Sequence, residues 1–241
     1  MSNEKQLPVL GGTWKDVAGA VAKGAIGAIP LVGSILGEVV GLMIPNQRLD
    51  RIEAYLRLLG ERLDGENPDD LRDRLRDPEH IDLFEEGAVQ SLRAVSDARK
   101  AYIASIVSEG LSGDEKDCLQ AKRLLKLLAQ VDDDQIIILA SHLREHYWDD
   151  EFRERHKAVL GPVSRHLGAS REERNAAAFY DLARSELLNL GLLSASFNMP
   201  KKGELPEFDR ATGRLRATNH NLTPLGRLLL EQVGLAGPEE D

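Results

Sequence analysis

The chain has 241 residues, of which 42% are hydrophobic and 29% are charged, and its formal net charge is −9 at neutral pH. These proportions are typical of a globular protein with one or two domains, and they exclude a protein built mainly from membrane spans. The acidic balance argues against tight nucleic-acid binding, which depends on cations that displace the counterions of the phosphates. A single cysteine, Cys118, excludes an internal disulfide and fits a reducing cytoplasm. We expect no signal peptide.

An apolar, glycine-rich segment occupies residues 17 to 44. Within it, Gly33, Gly37 and Gly41 recur every four residues, so in a helix they share one face to which another backbone can come close. Pro30 kinks this segment or divides it into a hairpin, because proline cannot continue the hydrogen bonding of a helix. The candidate residues for membrane contact and self-association are Gly24, Gly27, Pro30, Gly33, Gly37 and Gly41.

Two interpretations of this segment remain open. It is either a membrane-active helix or hairpin that self-associates, or a buried core hairpin whose glycines allow close helix crossings. The uncharged stretch from Gly24 to Gly37, flanked by Lys23 and Glu38, is shorter than the about 20 residues of a membrane-spanning helix. Glycine, however, costs about 1 kcal/mol relative to alanine inside a helix. Five glycines between Gly24 and Gly41 therefore favour an association face.

The following residues predict a helical N-terminal domain that ends at residue 112. Apolar residues at helical spacing indicate an amphipathic helix over 47 to 63, and an acidic connector over 64 to 80 contains a short helix after Pro68. One further helix is predicted over 81 to 110. Its predicted buried residues are Leu83, Phe84, Val89, Leu92, Val95, Ile103 and Val107.

The second predicted domain covers residues 113 to 241. Ser170 and Glu173 have the spacing of a capping box and indicate the start of a helix. After it, apolar and polar residues alternate around 193 to 199 and again near 215 to 217, which predicts a β-hairpin, and Thr223 begins a last short helix. The longer predicted helices cover residues 114–130, 132–147, 149–160 and 170–190.

This order of helices, a long helix, a hairpin and a closing helix resembles a winged-helix module over residues 114 to 233. The expected fold is therefore mainly α, with an N-terminal helical bundle followed by a winged-helix-like domain. Its predicted recognition helix is slightly acidic, which favours protein contact over DNA contact. Basic residues in the predicted wing keep a DNA-binding regulator open as an alternative: Lys201, Lys202, Arg210, Arg214 and Arg216.

The whole layout resembles helical abortive-infection effectors of bacteria. The resemblance lies in the apolar IPLVGSILG stretch (29–37), the amphipathic RLDRIEAYLRLLGERL helix (48–63) and the LTPLGRLLLEQV ending (222–233). In those effectors an N-terminal apolar element attacks the membrane of the host. We expect residues 17 to 44 to be hidden against the amphipathic helix 47 to 63 in the cytoplasm until a trigger, such as a phage component or partner protein, acts on the C-terminal domain and releases them. The segment then enters the inner membrane, self-associates and permeabilises the cell. The implied partners are membrane lipid and further copies of the chain, without tight nucleic-acid binding.

A histidine motif offers a remote alternative. His142, Glu145 and His146 match the H-x-x-E-H pattern of inverted zinc peptidases, in which both histidines share one helix face and the glutamate polarises the metal-bound water. Glu204 or Glu207 lies at a plausible distance in the sequence for a third ligand. Those peptidases, however, resemble an α/β sandwich, and this chain predicts one hairpin. We therefore predict two incidental histidines on a helix, no enzymatic activity, no metal and no cofactor.

Overall fold

A computed structural model describes residues 49–161, 168–198, 200, 205–208, 213 and 215–237. This part of the chain is mainly helical and contains one antiparallel sheet of two strands, which confirms the predicted fold class at that level. The glycine-rich segment 17 to 44 lies outside the described residues. So do Glu204 and four of the basic residues of the predicted wing: Lys201, Lys202, Arg210 and Arg214.

The chain divides into two compact units between Lys126 and Leu127. The predicted domain boundary at residue 112 lies earlier, at the end of a helix. Among the described residues, the helices of the first unit are α1 (Leu49–Arg62), α2 (Pro68–Arg74), α3 (Pro78–Arg93), α4 (Asp97–Ser112) and α5 (Glu115–Leu128), which ends beyond the division.

The second unit combines helices with the two-stranded sheet. Its described elements are α6 (Asp133–Ala140), a 3₁₀ turn (Arg144–His146), α7 (Asp150–Arg155), α8 (Lys157–Leu160), α9 (Arg171–Asn189), β1 (Leu193–Phe197), β2 (Ala217–Leu222) and α10 (Pro224–Gln232). The strands pair from Leu193 opposite Leu222 to Phe197 opposite Ala217, which confirms the predicted hairpin. The predicted capping box is also confirmed, since Ser170 and Glu173 exchange hydrogen bonds at the start of α9.

The apolar side of α1 forms the centre of the first unit. This helix packs against α3 and α4. At the crossing, Gly87 of α3 leaves so little room that an added Cβ would lie 2.5 Å from Tyr55 Oη and 2.6 Å from Val107 Cγ2. The buried residues on this side of α1 and directly after it are Ile52, Tyr55, Leu56, Leu59 and Leu63. The predicted amphipathic helix is thus confirmed, and its apolar side contacts two other helices of the same unit.

The single helix predicted over 81 to 110 is wrong, because the chain forms α3 and α4 there. The backbone is extended at Ala94, with φ −67° and ψ 118°, and Ser96 then begins α4 by accepting a hydrogen bond from Arg99 N. Val95 lies between the two helices and is 80% exposed instead of buried. Val89 is half-buried. The other residues predicted to be buried are so: Leu83, Phe84, Leu92, Ile103 and Val107.

No helix in the part of the chain that the structure describes combines the length and the apolar character needed to cross a bilayer.

Candidate functional site

The histidine motif does not lie on a continuous helix. The helix predicted over 132 to 147 ends at Ala140, and Leu143 is extended, with φ −67° and ψ 143°, before the 3₁₀ turn that contains His146. This extended residue interrupts the helical spacing that would bring His142 and His146 to one face. His142 and His146 therefore do not have the arrangement on one helix that an inverted zinc peptidase needs. Among the described residues, no group of three or more histidine, cysteine or carboxylate side chains could hold a metal ion.

His142 has a defined tautomer in its neutral form. Its Nδ1 lies 2.9 Å from the carbonyl oxygen of Ile138, and because a carbonyl only accepts, Nδ1 carries the proton and donates it. Burial lowers the pKa of His142, and the neighbouring Arg184 guanidinium lowers it further. The neutral ring therefore has its lone pair on Nε2.

His146 has a structural role beside the start of α7. Its ring stacks on Phe152, with 4.1 Å between the ring centroids and 9° between the planes. Its Nδ1 lies 3.4 Å from Asp149 Oδ2. Asp149 accepts a hydrogen bond from Phe152 N, and this bond and the histidine hold the pKa of the carboxyl below its usual range. His146 is thus packed against a helix cap, and Glu145 beside it is exposed.

A groove of about 440 Å³ in the second unit collects polar side chains from three places in the chain. His142 and Arg144 come from the chain after α6, His220 comes from β2, and Arg227 comes from α10. We call it the histidine groove. Its remaining described lining residues are Leu143, Tyr147, Asn219, Asn221, Leu222, Thr223 and Pro224, and no described lining residue is acidic.

The described lining of the groove carries two arginines and no carboxylate, although the chain as a whole is acidic. Burial lowers the pKa of His220, with further lowering by Arg184 and by His142. Arg227 is held by hydrogen bonds to Glu231, at 2.9 Å, and to the carbonyl of Gly237, at 3.2 Å. Neutral histidines beside arginine side chains provide a surface whose positive charge rises as the pH falls.

Hydrogen bonds to the hairpin hold one wall of the groove. Asn219 donates to Asn221 at 3.0 Å, and Asn221 donates to Ser196 on the paired strand at 2.7 Å. Thr223 Oγ1 donates to the carbonyl of Gly191 at 2.7 Å and accepts from Gly226 N at 3.0 Å. The first turn of α10 is therefore attached to the base of the hairpin, and the groove beside it has a defined shape.

A second surface of this unit is apolar and exposed. On α9, Phe179 is 71% exposed and Leu182 is 52% exposed. Only Ala177 and Leu187 are buried among the described residues of this helix. Further exposed apolar residues lie on the hairpin and its bridged extension: Phe197, Leu205, Phe208 and Leu215.

No protein-family model matches the chain, and comparisons with curated proteins and with solved structures found no match. Its function therefore has to be inferred from its own residues. No local signal in the sequence predicts the histidine groove, because His142 and His220 are far apart in the chain and no short motif joins them. His142 belongs to the H-x-x-E-H pattern, whereas His220 belongs to no motif.

Proposed function

We propose that the protein is a membrane-active effector whose residues 17 to 44 enter a membrane and self-associate there. The observation that carries this proposal is the glycine series Gly33, Gly37 and Gly41 within an apolar stretch. In lipid, helices associate by close packing, and faces of small residues at this spacing are a common means of achieving it. The segment is short for a spanning helix, so it inserts as a hairpin or assembles with further copies.

The packing of α1 supports a separable N-terminal segment. Its apolar side contacts α3 and α4, and Arg51 of α1 donates a 3.0 Å hydrogen bond to the carbonyl of Leu92 at the end of α3. These contacts attach α1 to the first unit through residues outside the segment 17 to 44. A segment that switches between two states, as residues 17 to 44 do in this proposal, needs a domain that stays folded when the segment leaves it.

The second unit supplies the sensor in this proposal. Its order of α9, hairpin and α10 resembles that of a winged-helix module, and it follows the helices of the first unit in the chain. The protein stays in the cytoplasm until a trigger acts on this domain and the segment moves to the inner membrane. Resemblance to abortive-infection effectors suggests antiphage defence as the setting.

Leakage of a dye from liposomes tests the proposal. Residues 1 to 64, separated from the rest of the chain, should release the dye, whereas the full-length protein should release less. Gly37→Leu places a large side chain on the association face and should reduce leakage, because the helices can no longer approach closely. Val39→Leu, on the opposite side of a helix, is the matched control and should leave leakage unchanged.

Leakage that Gly37→Leu and Val39→Leu affect equally would contradict an association face. Failure of residues 1 to 64 to bind or permeabilise liposomes would contradict membrane activity altogether. The glycines would then be a means of close packing in a protein core.

A winged-helix-like adaptor that binds a protein is the second candidate function. The exposed Phe179 and Leu182 on α9 favour it, because the helix that would enter a DNA groove presents apolar side chains and has Glu172 and Glu173 in its first turn. A gel-shift assay with duplex DNA should therefore show no tight binding at physiological salt. Submicromolar, salt-sensitive retardation that is lost on neutralising Lys201 and Lys202 would instead support a DNA-binding regulator.

A further inference from the structure

We propose that the histidine groove binds a phosphate monoester. That such a ligand is the trigger of the effector rests on the function proposed above, whereas the binding itself does not. The nearest chemical alternative, a divalent metal held by the histidines, lacks a carboxylate or thiolate among the described residues that line the groove.

Side chains that can donate hydrogen bonds line the groove from separate elements. Arg144 and Tyr147 lie in and directly after the 3₁₀ turn, His142 precedes it, and His220 comes from β2. A phosphate group offers three strong acceptor oxygens and about two negative charges, so it can engage several such donors at once. A carboxylate has fewer acceptor sites and a smaller charge.

The tautomer of His142 couples binding to protonation. Since Nδ1 donates to the carbonyl of Ile138, Nε2 of the neutral ring is an acceptor and has no hydrogen to donate to an anion. His142 can donate a hydrogen bond to a phosphate oxygen only after Nε2 gains a proton. Arg184 from α9 opposes this proton on His142, and Arg184 and His142 oppose a proton on His220. A bound dianion would counteract both effects. Binding should therefore take up protons from solution.

The size of the groove indicates a small phosphorylated molecule in preference to a bare ion. Its volume of about 440 Å³ lies within the range of pockets that hold small organic ligands. The phosphate could belong to a soluble metabolite or to the headgroup of a lipid. Both present the same dianionic monoester, so the experiment needs one arm for each source.

Isothermal titration calorimetry of the full-length protein tests the proposal, with AMP as the soluble probe and adenosine as its uncharged control. AMP should bind and adenosine should not. Titrations at pH 7 in buffers of different ionisation enthalpy should reveal uptake of about one proton per AMP bound. In the lipid arm, sedimentation with phosphatidylcholine vesicles is compared with sedimentation with vesicles that also contain phosphatidic acid.

Variants locate the site. Arg144→Gln and His220→Gln should each weaken AMP binding by about tenfold, the effect of losing a charge-assisted hydrogen bond. Arg76→Gln is the control, because Arg76 is an exposed arginine of the first unit paired with Asp73. His142→Gln should reduce proton uptake. Circular dichroism should show the same helical content in every variant, so that a lost affinity is not a lost fold.

Several results would overturn the proposal: no binding of AMP at millimolar concentration together with no binding to vesicles that contain phosphatidic acid, equal binding of adenosine, no proton uptake when AMP binds, or unchanged affinity in Arg144→Gln and His220→Gln. Binding only to vesicles with phosphatidic acid, weakened by Arg144→Gln, would assign the lipid headgroup as ligand. These measurements involve no leakage, so they stand if the membrane proposal fails. If AMP or phosphatidic acid binds but does not change leakage by the full-length protein, the trigger role falls and the binding site remains.

Discussion

Gly87 lies where the packing of the first unit leaves no room for a side chain. A Cβ there would lie 2.5 Å from Tyr55 Oη and 2.6 Å from Val107 Cγ2. Gly87→Ala should therefore lower the free energy of unfolding by about 1–3 kcal/mol, because α3 would have to move away from α1 and α4. Urea denaturation measures this loss. Gly237→Ala is the control, since a Cβ at Gly237 would meet nothing within 4 Å.

Tyr55 provides a second test at the same crossing. Its hydroxyl is buried without a hydrogen-bond partner among the described residues, and burial raises its pKa. Tyr55→Phe should therefore leave the free energy of unfolding unchanged or raise it slightly, because an unsatisfied polar group is removed. Combined with Gly87→Ala, it should also recover part of the stability lost in that single variant. Strict additivity in a double-mutant cycle would contradict direct contact between the two side chains.

Ser96 sets the boundary between α3 and α4. Its side chain accepts a 3.0 Å hydrogen bond from Arg99 N, at a place where the chain contains no glycine or proline. Ser96→Ala should lower the free energy of unfolding by about 1 kcal/mol, the usual effect of losing an N-cap. The neighbouring Val95→Ala should change it by less than about 0.5 kcal/mol, because Val95 is exposed. Equal losses in chemical denaturation would show that the cap does not stabilise α4.

These boundaries show what could be predicted at the scale of the element. Helices with a strong apolar side or a capping box, such as α1 and α9, were predictable because their signals are local. The breaks at Ala94 and Leu143 were not, because neither residue disfavours a helix strongly and packing of the surrounding elements decides. The apolar residues on both sides of Ala94 keep nearly helical spacing, so one helix and two helices give almost the same pattern.

Replacement of a side chain by alanine should change the free energy of unfolding differently on the two sides of α9. Leu187 is completely buried, so Leu187→Ala should lower the free energy of unfolding by about 2–5 kcal/mol. Phe179 is 71% exposed, and Phe179→Ala should change it by less than about 0.5 kcal/mol. Thermal denaturation of the two variants compares them within one helix. A large loss in Phe179→Ala would contradict a surface available to a protein partner.

At the scale of the whole molecule, the fold class was predictable and the groove was not. Composition and periodicity indicate a mainly helical chain with a hairpin. The histidine groove depends on how the chain after α6 lies beside β2, and this tertiary arrangement joins His142 to His220 without any local signal. The local pattern in the sequence is the H-x-x-E-H spacing. It places both histidines on one face only in a continuous helix, and the extended backbone at Leu143 interrupts that helix.

The groups with shifted pKa values are unevenly distributed between the units. The histidines whose pKa is lowered, in each case first by burial, lie in the second unit: His142, His156 and His220. Most of the aspartates whose pKa is held low by hydrogen bonds lie in the first: Asp77, Asp97 and Asp114. Asp149 belongs to the second unit. The pKa values of two further carboxyl groups, those of Glu85 and Asp134, are instead raised by burial.

Mild acid should therefore destabilise the second unit before the first. A histidine with a lowered pKa binds fewer protons in the folded than in the unfolded state, so its contribution to stability is lost as the pH falls below about 6.5. The low-pKa aspartates lose theirs only below about 4. Between pH 7.5 and 5.5, the melting temperature reported by Trp148 fluorescence should fall in a Trp14→Phe background, where Trp148 is the single tryptophan. The double variant His142→Gln/His220→Gln should show a smaller fall in melting temperature over this pH range. An unchanged fall would contradict the assignment of the pH dependence to these two histidines.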